Sequence, residues 1–306
     1  FCLISAFYNE KENLPKFTRR LENTRLKLLK CGYSVSIVMV NDGSTDNSLN
    51  ILRKLSKNKK YIKIINLTKN YGQQIAIYLA LKNNKADLYG AIDSDGQQDP
   101  LLFIKMIKKL ENKKLDIVQM KKKYGNYESL LKSIFSRIFY SIFMYLTNID
   151  LQSGSSDFYL ITKKVRREIM LSQISKFFLR GFIHSTGLPK VYLEYMPSKR
   201  EKGKSKYSIY KQLDFALTAI YLYGTRLFVR IFIFSIILML LSIFFIIFLI
   251  YEHYVLNVQV PGWATIAILI TFFGAMNIFF ICLIAFFSIK MGNVLSSEPY
   301  HEAKNN

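Results

Sequence analysis

Cysteine, histidine, tryptophan and acidic side chains are all scarce in this chain of 306 residues, and each shortage removes a class of explanation. Cys2, Cys31 and Cys282 are the only cysteines, too scattered for a disulfide framework or a metal-ligand pattern, and they suit a reducing cytosol. His184 and His301 have no evident partner in the sequence and read as structural. Acidic residues number 21 against 43 basic ones, so the net charge is +22, carried almost wholly in the part ending at Arg230. Nucleic acid, anionic lipid headgroups or a phosphorylated substrate could each answer that surplus. Many of the lysines simply solvate helix faces.

Charge is missing altogether from Ile231–Tyr251 and Trp263–Ile289. At about 1.5 Å per residue each is long enough, as a helix, to cross the ~30 Å hydrocarbon core. A membrane tail favours a lipid or a phosphorylated substrate, and no nucleic-acid partner is expected. The connector Glu252–Gly262 lacks Lys and Arg, whereas Arg226 and Arg230 precede the first stretch and Lys290 follows the second. The positive-inside rule then puts both termini in the cytosol. Pro261-Gly262 is the expected breaker, Trp263 an interfacial anchor, and Asn277 an interhelical hydrogen-bond partner. The chain opens at Phe1, inside an apolar run and without an initiator methionine, as expected of a start that has lost a short leader; no signal peptide is visible.

The first half alternates strand and helix patterns. Strands are predicted at Phe1–Ala6, Val35–Val40, Ile62–Leu67, Leu88–Ile92 and Ile117–Met120. Helices are predicted at Leu14–Leu29, Asn47–Leu55 (capped by Ser44 or Thr45) and Gln73–Leu81, with another opened by Pro100. That order implies an α/β domain with a mostly parallel sheet. Leu130–Leu146 and Tyr207–Leu227 are unusually apolar, either as interfacial helices in the headgroup layer or as faces packed on the body or another subunit. The expected division is a catalytic domain over 1–206 containing an interfacial helix at 129–147, and a juxtamembrane helix at 207–229. Two spans within 230–290 and a cytoplasmic tail at 291–306 complete it.

Polar motifs follow the strand ends, where open α/β sheets bind ligands. Asp93-Ser94-Asp95-Gly96-Gln97 places two carboxylates and an amide oxygen after the fourth strand, a set able to hold a hard divalent cation beside substrate phosphates. Asp42, within Asn41-Asp42-Gly43-Ser44-Thr45-Asp46, reads either as a turn residue or as a hydrogen-bond partner for a nucleobase; Glu10 is similarly placed for a ribose. Arg200–Lys206 is a basic loop spaced by Gly203 and Ser205, either merely solvated or a phosphate cradle. Its Gly203-Lys204-Ser205 imitates the end of a P-loop, but Ser198 stands where the first glycine belongs and no strand is predicted to lead into it.

Tyr8-Asn9-Glu10, Asn41–Asp46, Asn70-Tyr71-Gly72 and Asp93–Pro100, in that order, resemble glycosyltransferase family 2 with its GT-A fold. Ser156-Asp157-Phe158-Tyr159-Leu160, Phe178-Leu179-Arg180-Gly181 and Arg200–Tyr207 resemble its polyprenyl-phosphate branch, similar to dolichyl-phosphate-mannose synthase, in the subgroup with two C-terminal transmembrane helices. The resemblance covers nearly the whole chain. It implies a nucleotide-diphosphate hexose, most simply UDP-linked, as donor and undecaprenyl phosphate as acceptor, with inversion at the anomeric carbon. The place would be the cytoplasmic face of a bacterial inner membrane, as a self-associating integral protein. Tyr8, Asn9, Glu10, Asp42, Asn70, Asp93 and Asp95 would bind donor; Asp93, Asp95 and Gln97 would surround Mg²⁺ or Mn²⁺. Asp95 and Asp157 would be catalytic, with Asp157 facing the sugar. Lys122, Arg200, Ser205 and Lys206 would hold the lipid phosphate. Ala6 stands where the family commonly has proline, and Lys122 where it usually has arginine.

Three other readings share parts of this pattern. A processive polysaccharide synthase would carry Gln-x-x-Arg-Trp, which is absent, since Trp263 follows Pro261-Gly262. A transferase acting on the hydroxyl of a lipid-linked saccharide would use Asp157 as general base. A membrane scaffold with a decayed transferase domain would not need the Asp-x-Asp motif or the basic loop.

Overall fold

A computed structural model describes residues 1–123, 144, 155–172, 179–198, 225–257 and 262–295. The chain divides into two compact units, one built mainly on Phe1–Met144 and Ile149–Phe215, the other on Ala216–Ser297.

In the first unit, β1 (Cys2–Phe7), β2 (Ser36–Asn41), β3 (Ile62–Asn66), β4 (Leu88–Ala91) and β5 (Ile117–Lys122) alternate with α1 (Leu14–Lys30), α2 (Ser48–Ser56), α3 (Gln73–Lys82) and α4 (Leu102–Asn112). β6 (Ser155–Thr162), α5 (Lys163–Leu171), α6 (Leu179–Ser185) and β7 (Lys190–Tyr195) follow. The seven strands form one sheet in the order β3-β2-β1-β4-β6-β5-β7. All pairs are parallel except those of β6, which runs antiparallel to both β4 and β5. The expected mostly parallel α/β sheet is present, and the expected strands match to within about two residues at each end.

β1 is buried over its whole length, as befits a central strand covered on both faces. Successive residues point to opposite sides. Ile4, Val38, Ile65, Tyr159 and Ile161 pack with α3, α5 and α6, while Leu3, Ile37, Met39, Phe158 and Leu160 pack with α1, α2 and α4. Phe158 meets Phe103 and Tyr195 edge to face, at ring-centroid distances of 5.0 and 5.8 Å. Each such contact adds about 0.5–1.5 kcal/mol beyond the area buried.

β6 and β7 are missing from the strands expected from sequence, and β7 corrects the P-loop comparison, because a strand ending at Tyr195 does lead toward Ser198. The expected cap is also corrected. Ser44 and Thr45 hydroxyls accept hydrogen bonds from Asn9, and Asp46 Oδ1 instead accepts the N–H of Ser48 at the start of α2.

The second unit contains α7 (Thr225–Tyr254) and α8 (Gly262–Leu295), packed on each other with Phe232 stacked on Phe279 at 4.7 Å. Val229–Tyr254 and Thr265–Ala285 are long and apolar enough to cross a membrane, and few of their residues are buried. Buried Ser235 and Ser242 donate back to the carbonyls of Phe232 and Leu238, which satisfies their hydroxyls within the helix. Asn277 is exposed within the single chain. α8 runs to Leu295, so the expected tail at 291–306 begins inside a helix. The expected interfacial helix at 129–147 lies outside the described residues apart from Met144, as does 207–224 of the juxtamembrane segment; residues 225–229 open α7.

Candidate active site

The parallel strands bring their carboxyl ends to one rim. Tyr8, Asn9 and Glu10 follow β1, Asp42 follows β2, Asn70 follows β3, and Asp93 and Asp95 follow β4. Antiparallel β6 delivers Asp157 there from its opposite end. The pairing Ala91↔Tyr159 sets Asp157, two residues earlier in β6, level with Asp93, two residues beyond Ala91. Lys122 ends β5 opposite Tyr195 of β7, at the same rim.

Asn9 laces the first two loops together. Its backbone is left-handed at φ 53°, a conformation asparagine tolerates better than most residues. Its N–H donates to Ser44 Oγ, its Nδ2 to Thr45 Oγ1, and its Oδ1 accepts the N–H groups of Thr45 and Asp46. Glu10 is half-buried, donating its N–H to Ser48 Oγ and accepting from Asn13 Nδ2. Tyr8 is half-buried, while Asn70 is exposed and accepts the Gly72 N–H on its side-chain oxygen.

Asp42 is 3% exposed and receives the backbone N–H groups of Tyr71 and Gly72 at 2.8 and 3.0 Å. Burial raises its carboxyl above the ordinary value, and those two donors act against the shift. Gly43 sits beside it at φ +65°, with Lys69 and Asn70 backbone packed where a Cβ would lie.

Asp93 accepts from two side-chain amides, Gln73 on Oδ1 and Gln98 on Oδ2, and its own N–H donates to Gln98 Oε1. Its carboxyl is pushed up to about 7, first by burial and then by the carboxylates of Asp157 and Asp95. Asp95 is half-buried, and its Oδ1 accepts the Gln97 N–H. Arg20 of α1 braces this loop, donating to Gly96 O at 2.8 Å and Gln98 O at 3.0 Å, with Asp99 3.6 Å away. A cavity of about 150 Å³ opens between Asp95, Gly96 and the start of α1 at Glu12, Lys16 and Arg20.

Asp157 is 4% exposed and doubly held. Arg180 Nε donates to Oδ1 at 2.8 Å, Arg180 Nη2 lies 2.7 Å from Oδ2, and Gln74 Nε2 donates to Oδ2 at 2.8 Å. Gln74 Oε1 in turn accepts the Arg180 N–H. Sequence alone does not mark Gln73, Gln74, Gln98, Arg180 and Arg20 as site residues. Of these, Arg180 and Gln98 fall inside the family-like motifs, and nothing local marks a glutamine at a helix start as a carboxylate partner.

Among the described residues no three His, Cys, Asp or Glu side chains gather as a metal site. That does not argue against a hard divalent ion at the Asp93–Asp95 loop, because Mg²⁺ takes only one or two carboxylates and fills its remaining positions with water and phosphate. Arg200, Ser205 and Lys206 lie outside the described residues. The described chain reaches Ser198, whose N–H donates to Gln97 O at 2.9 Å, so the segment leading to them leaves from beside the Asp95 loop.

The model for Glycosyl transferase family 2 matches residues 2–173, more than half of the chain and the whole of this rim up to Asp157. The chain belongs to glycosyltransferase family 2. It is 30% identical over 277 residues to an uncharacterized glycosyltransferase of Synechocystis sp., covering 90% of this chain and 86% of the relative. It is 27% identical to the prophage bactoprenol glucosyl transferase homolog of Escherichia coli K12, covering 73% of this chain and 72% of that one. Among solved structures, glucosyl-3-phosphoglycerate synthase of Mycobacterium tuberculosis, in complex with Mn²⁺ and UDP-glucose, superposes with a TM-score of 0.45 at 14% identity, covering 72% of this chain and 76% of that one.

Proposed function

We propose that this glycosyltransferase is an inverting, metal-dependent enzyme anchored in a membrane, and that it moves a hexose from a UDP-sugar to a polyprenyl phosphate. The observation that carries the reading is the hydrogen bond from Ser198 to Gln97, which ties the approach to the basic loop to the Asp95 loop. Consecutive Cα atoms are about 3.8 Å apart, so Arg200 is tethered within about 8 Å of Ser198. Donor diphosphate and acceptor phosphate would then meet beside one another. Relatives named as bactoprenol glucosyl transferases support the lipid acceptor, and the two long apolar helices support the anchor.

Asp42 and Glu10 would hold the nucleoside, and Asp95 would hold Mg²⁺ or Mn²⁺, backed by Asp93 and Gln97. When bound, that ion would offset charge growing on the departing diphosphate. A phosphate monoester has its second pKa at about 6, so the acceptor arrives already ionised. The protein's main task is to position two repelling anions, and Lys122, Arg200, Ser205 and Lys206 supply the compensating charge and hydrogen bonds. One in-line displacement would invert the anomeric carbon.

Asp157 orients the donor sugar in this reading. Both its oxygens are engaged by Arg180 and Gln74, an arrangement suited to fixing geometry. The rival, transfer to the hydroxyl of a lipid-linked saccharide, needs Asp157 to take a proton, which that engagement opposes. Purified protein offered either acceptor separates the two. Asp95→Ala and Arg200→Ala should each abolish or severely reduce transfer to polyprenyl phosphate, with nucleotide binding better preserved in the second. Wild-type turnover in Arg200→Ala would remove the acceptor assignment.

A further inference from the structure

Behind Asp157 lies a buried polar chain through Ser156, Gln119 and His184. Gln119 of β5 is 1% exposed and donates its Nε2–H to the carbonyl of Ser156 at 2.8 Å. Its other side-chain atom, Oε1, can only accept, and it faces His184 Nε2. His184 must therefore carry its proton on Nε2, which leaves Nδ1 to accept from Tyr192 Oη at 3.3 Å. The imidazole lies stacked on Tyr192, at 5.6 Å and 11° between planes, and is 6% exposed. Burial first, then Lys190 and Arg180, hold it neutral, with its pKa lowered to about 3.

The chain has one direction. Tyr192 donates to His184, His184 to Gln119, and Gln119 to the carbonyl of the residue preceding Asp157. The same short helix, α6, also supplies Arg180, one turn before His184 and so on the same face. α6 thus grips β6 at two consecutive residues, through Arg180 on the Asp157 carboxylate and through His184 and Gln119 on the Ser156 carbonyl. Gln74 Oε1 on the Arg180 N–H and the buried Leu179 and Ile183 seat the same helix, with His184 as its buried polar contact to Gln119.

We propose that His184 is a positioning residue for transfer, acting through Gln119 to hold Arg180 and Asp157 in register with the reacting sugar. This rests on the reading of Asp157 as the group that orients the donor. Misplacement by about 1 Å can lower a rate about a hundredfold, so a partial loosening of α6 should act on turnover far more than on donor binding.

The test uses full-length protein in detergent micelles, with UDP-glucose and undecaprenyl phosphate as substrates. His184→Phe keeps the stacking on Tyr192 but has no N–H for Gln119. His184→Gln places an amide N–H close to where Nε2 stood. We expect His184→Phe and Gln119→Leu each to lower kcat about tenfold or more with donor KM near the wild-type value. The double variant should be no worse than either single, and His184→Gln should recover most of the loss. A cryo-EM structure of His184→Phe should show Arg180 withdrawn from Asp157. Wild-type kcat in His184→Phe overturns the proposal. So does a loss that follows KM or thermal stability alone, or one as deep in His184→Gln as in His184→Phe. If the wild type transfers no sugar to undecaprenyl phosphate, the proposed function fails while the Arg180–Asp157 geometry in His184→Phe still decides the inference: retained, it refutes; withdrawn, it supports.

Discussion

Replacing Arg180 by methionine keeps most of the side-chain volume and deletes the charge that answers Asp157. In the wild type the guanidinium makes two contacts with that carboxylate, at 2.8 and 2.7 Å, with side-chain exposures of 15% and 5%. Breaking a buried pair by removing one partner costs about 3–5 kcal/mol, because the survivor is left as an uncompensated charge. The penalty is sharpened here by the neighbourhood, since Asp157 already repels Asp93 strongly enough to help push its carboxyl up to about 7. At about 1.4 kcal/mol per decade, the folded population relative to unfolded should fall roughly a hundred- to a few-thousand-fold. Cys2, 1% exposed in β1, gives a built-in reporter, since its thiol meets reagent only when the sheet opens. Thiol labelling of the full chain in micelles, with the modified cysteine located by mass spectrometry, separates Cys2 from the exposed Cys31. Asp157→Asn placed on top of Arg180→Met should recover stability, so that the two single losses together exceed the double by about 1–3 kcal/mol. Cys2 labelling at the wild-type rate in Arg180→Met, or strict additivity of the pair, would refute the account of this ion pair.

Gly43→Ala should be much more damaging than Gly72→Ala. Both have positive φ and would bear about 1–3 kcal/mol of backbone strain, but a Cβ at Gly43 would lie 2.3 Å from the Lys69 carbonyl carbon, whereas Gly72 has nothing within 4 Å. Thermal midpoints and UDP titration check the order, and equal behaviour of the two variants would contradict it. Arg20→Met should raise the Mn²⁺ concentration needed for half-saturation, read by electron paramagnetic resonance, because the loop from Gly96 to Asp99 loses its brace. Unchanged Mn²⁺ affinity would assign Arg20 to fold stability alone. His184 titrates lower in the folded chain, about 3, than its ordinary 6.5. It contributes stability above pH 6.5 that is lost as pH falls toward 3, so His184→Gln should flatten that part of the Cys2-labelling profile. Identical acid profiles would place the imidazole in water.

The alternating strands and helices up to β5 were legible because each buries a local pattern, continuous apolar strands and helices with apolar residues three or four apart. β6 and β7 were not, because Ser156, Asp157, Lys190 and Glu194 interrupt apolar continuity and the partners of β6 lie more than 30 residues away. The rim residues could be read from motif order, since Asp42, Asp93 and Asp95 each follow a strand. Their partners could not. Gln73 and Gln74 look like unremarkable helix-start residues until α3, packed on β1 and β2, brings its first turn to Asp93 and Asp157. His184 likewise gains Gln119 and Tyr192 only when α6 meets β5 and β7.

The most direct measurement offers the purified protein UDP-hexoses and undecaprenyl phosphate with Mg²⁺ or Mn²⁺, then follows UDP release and the mass of the lipid. The account predicts one hexose added to the lipid phosphate for each UDP released, with turnover abolished by EDTA and restored by the metal. Turnover untouched by EDTA, or a sugar that appears only on a lipid-linked saccharide and never on the monophosphate, would contradict it.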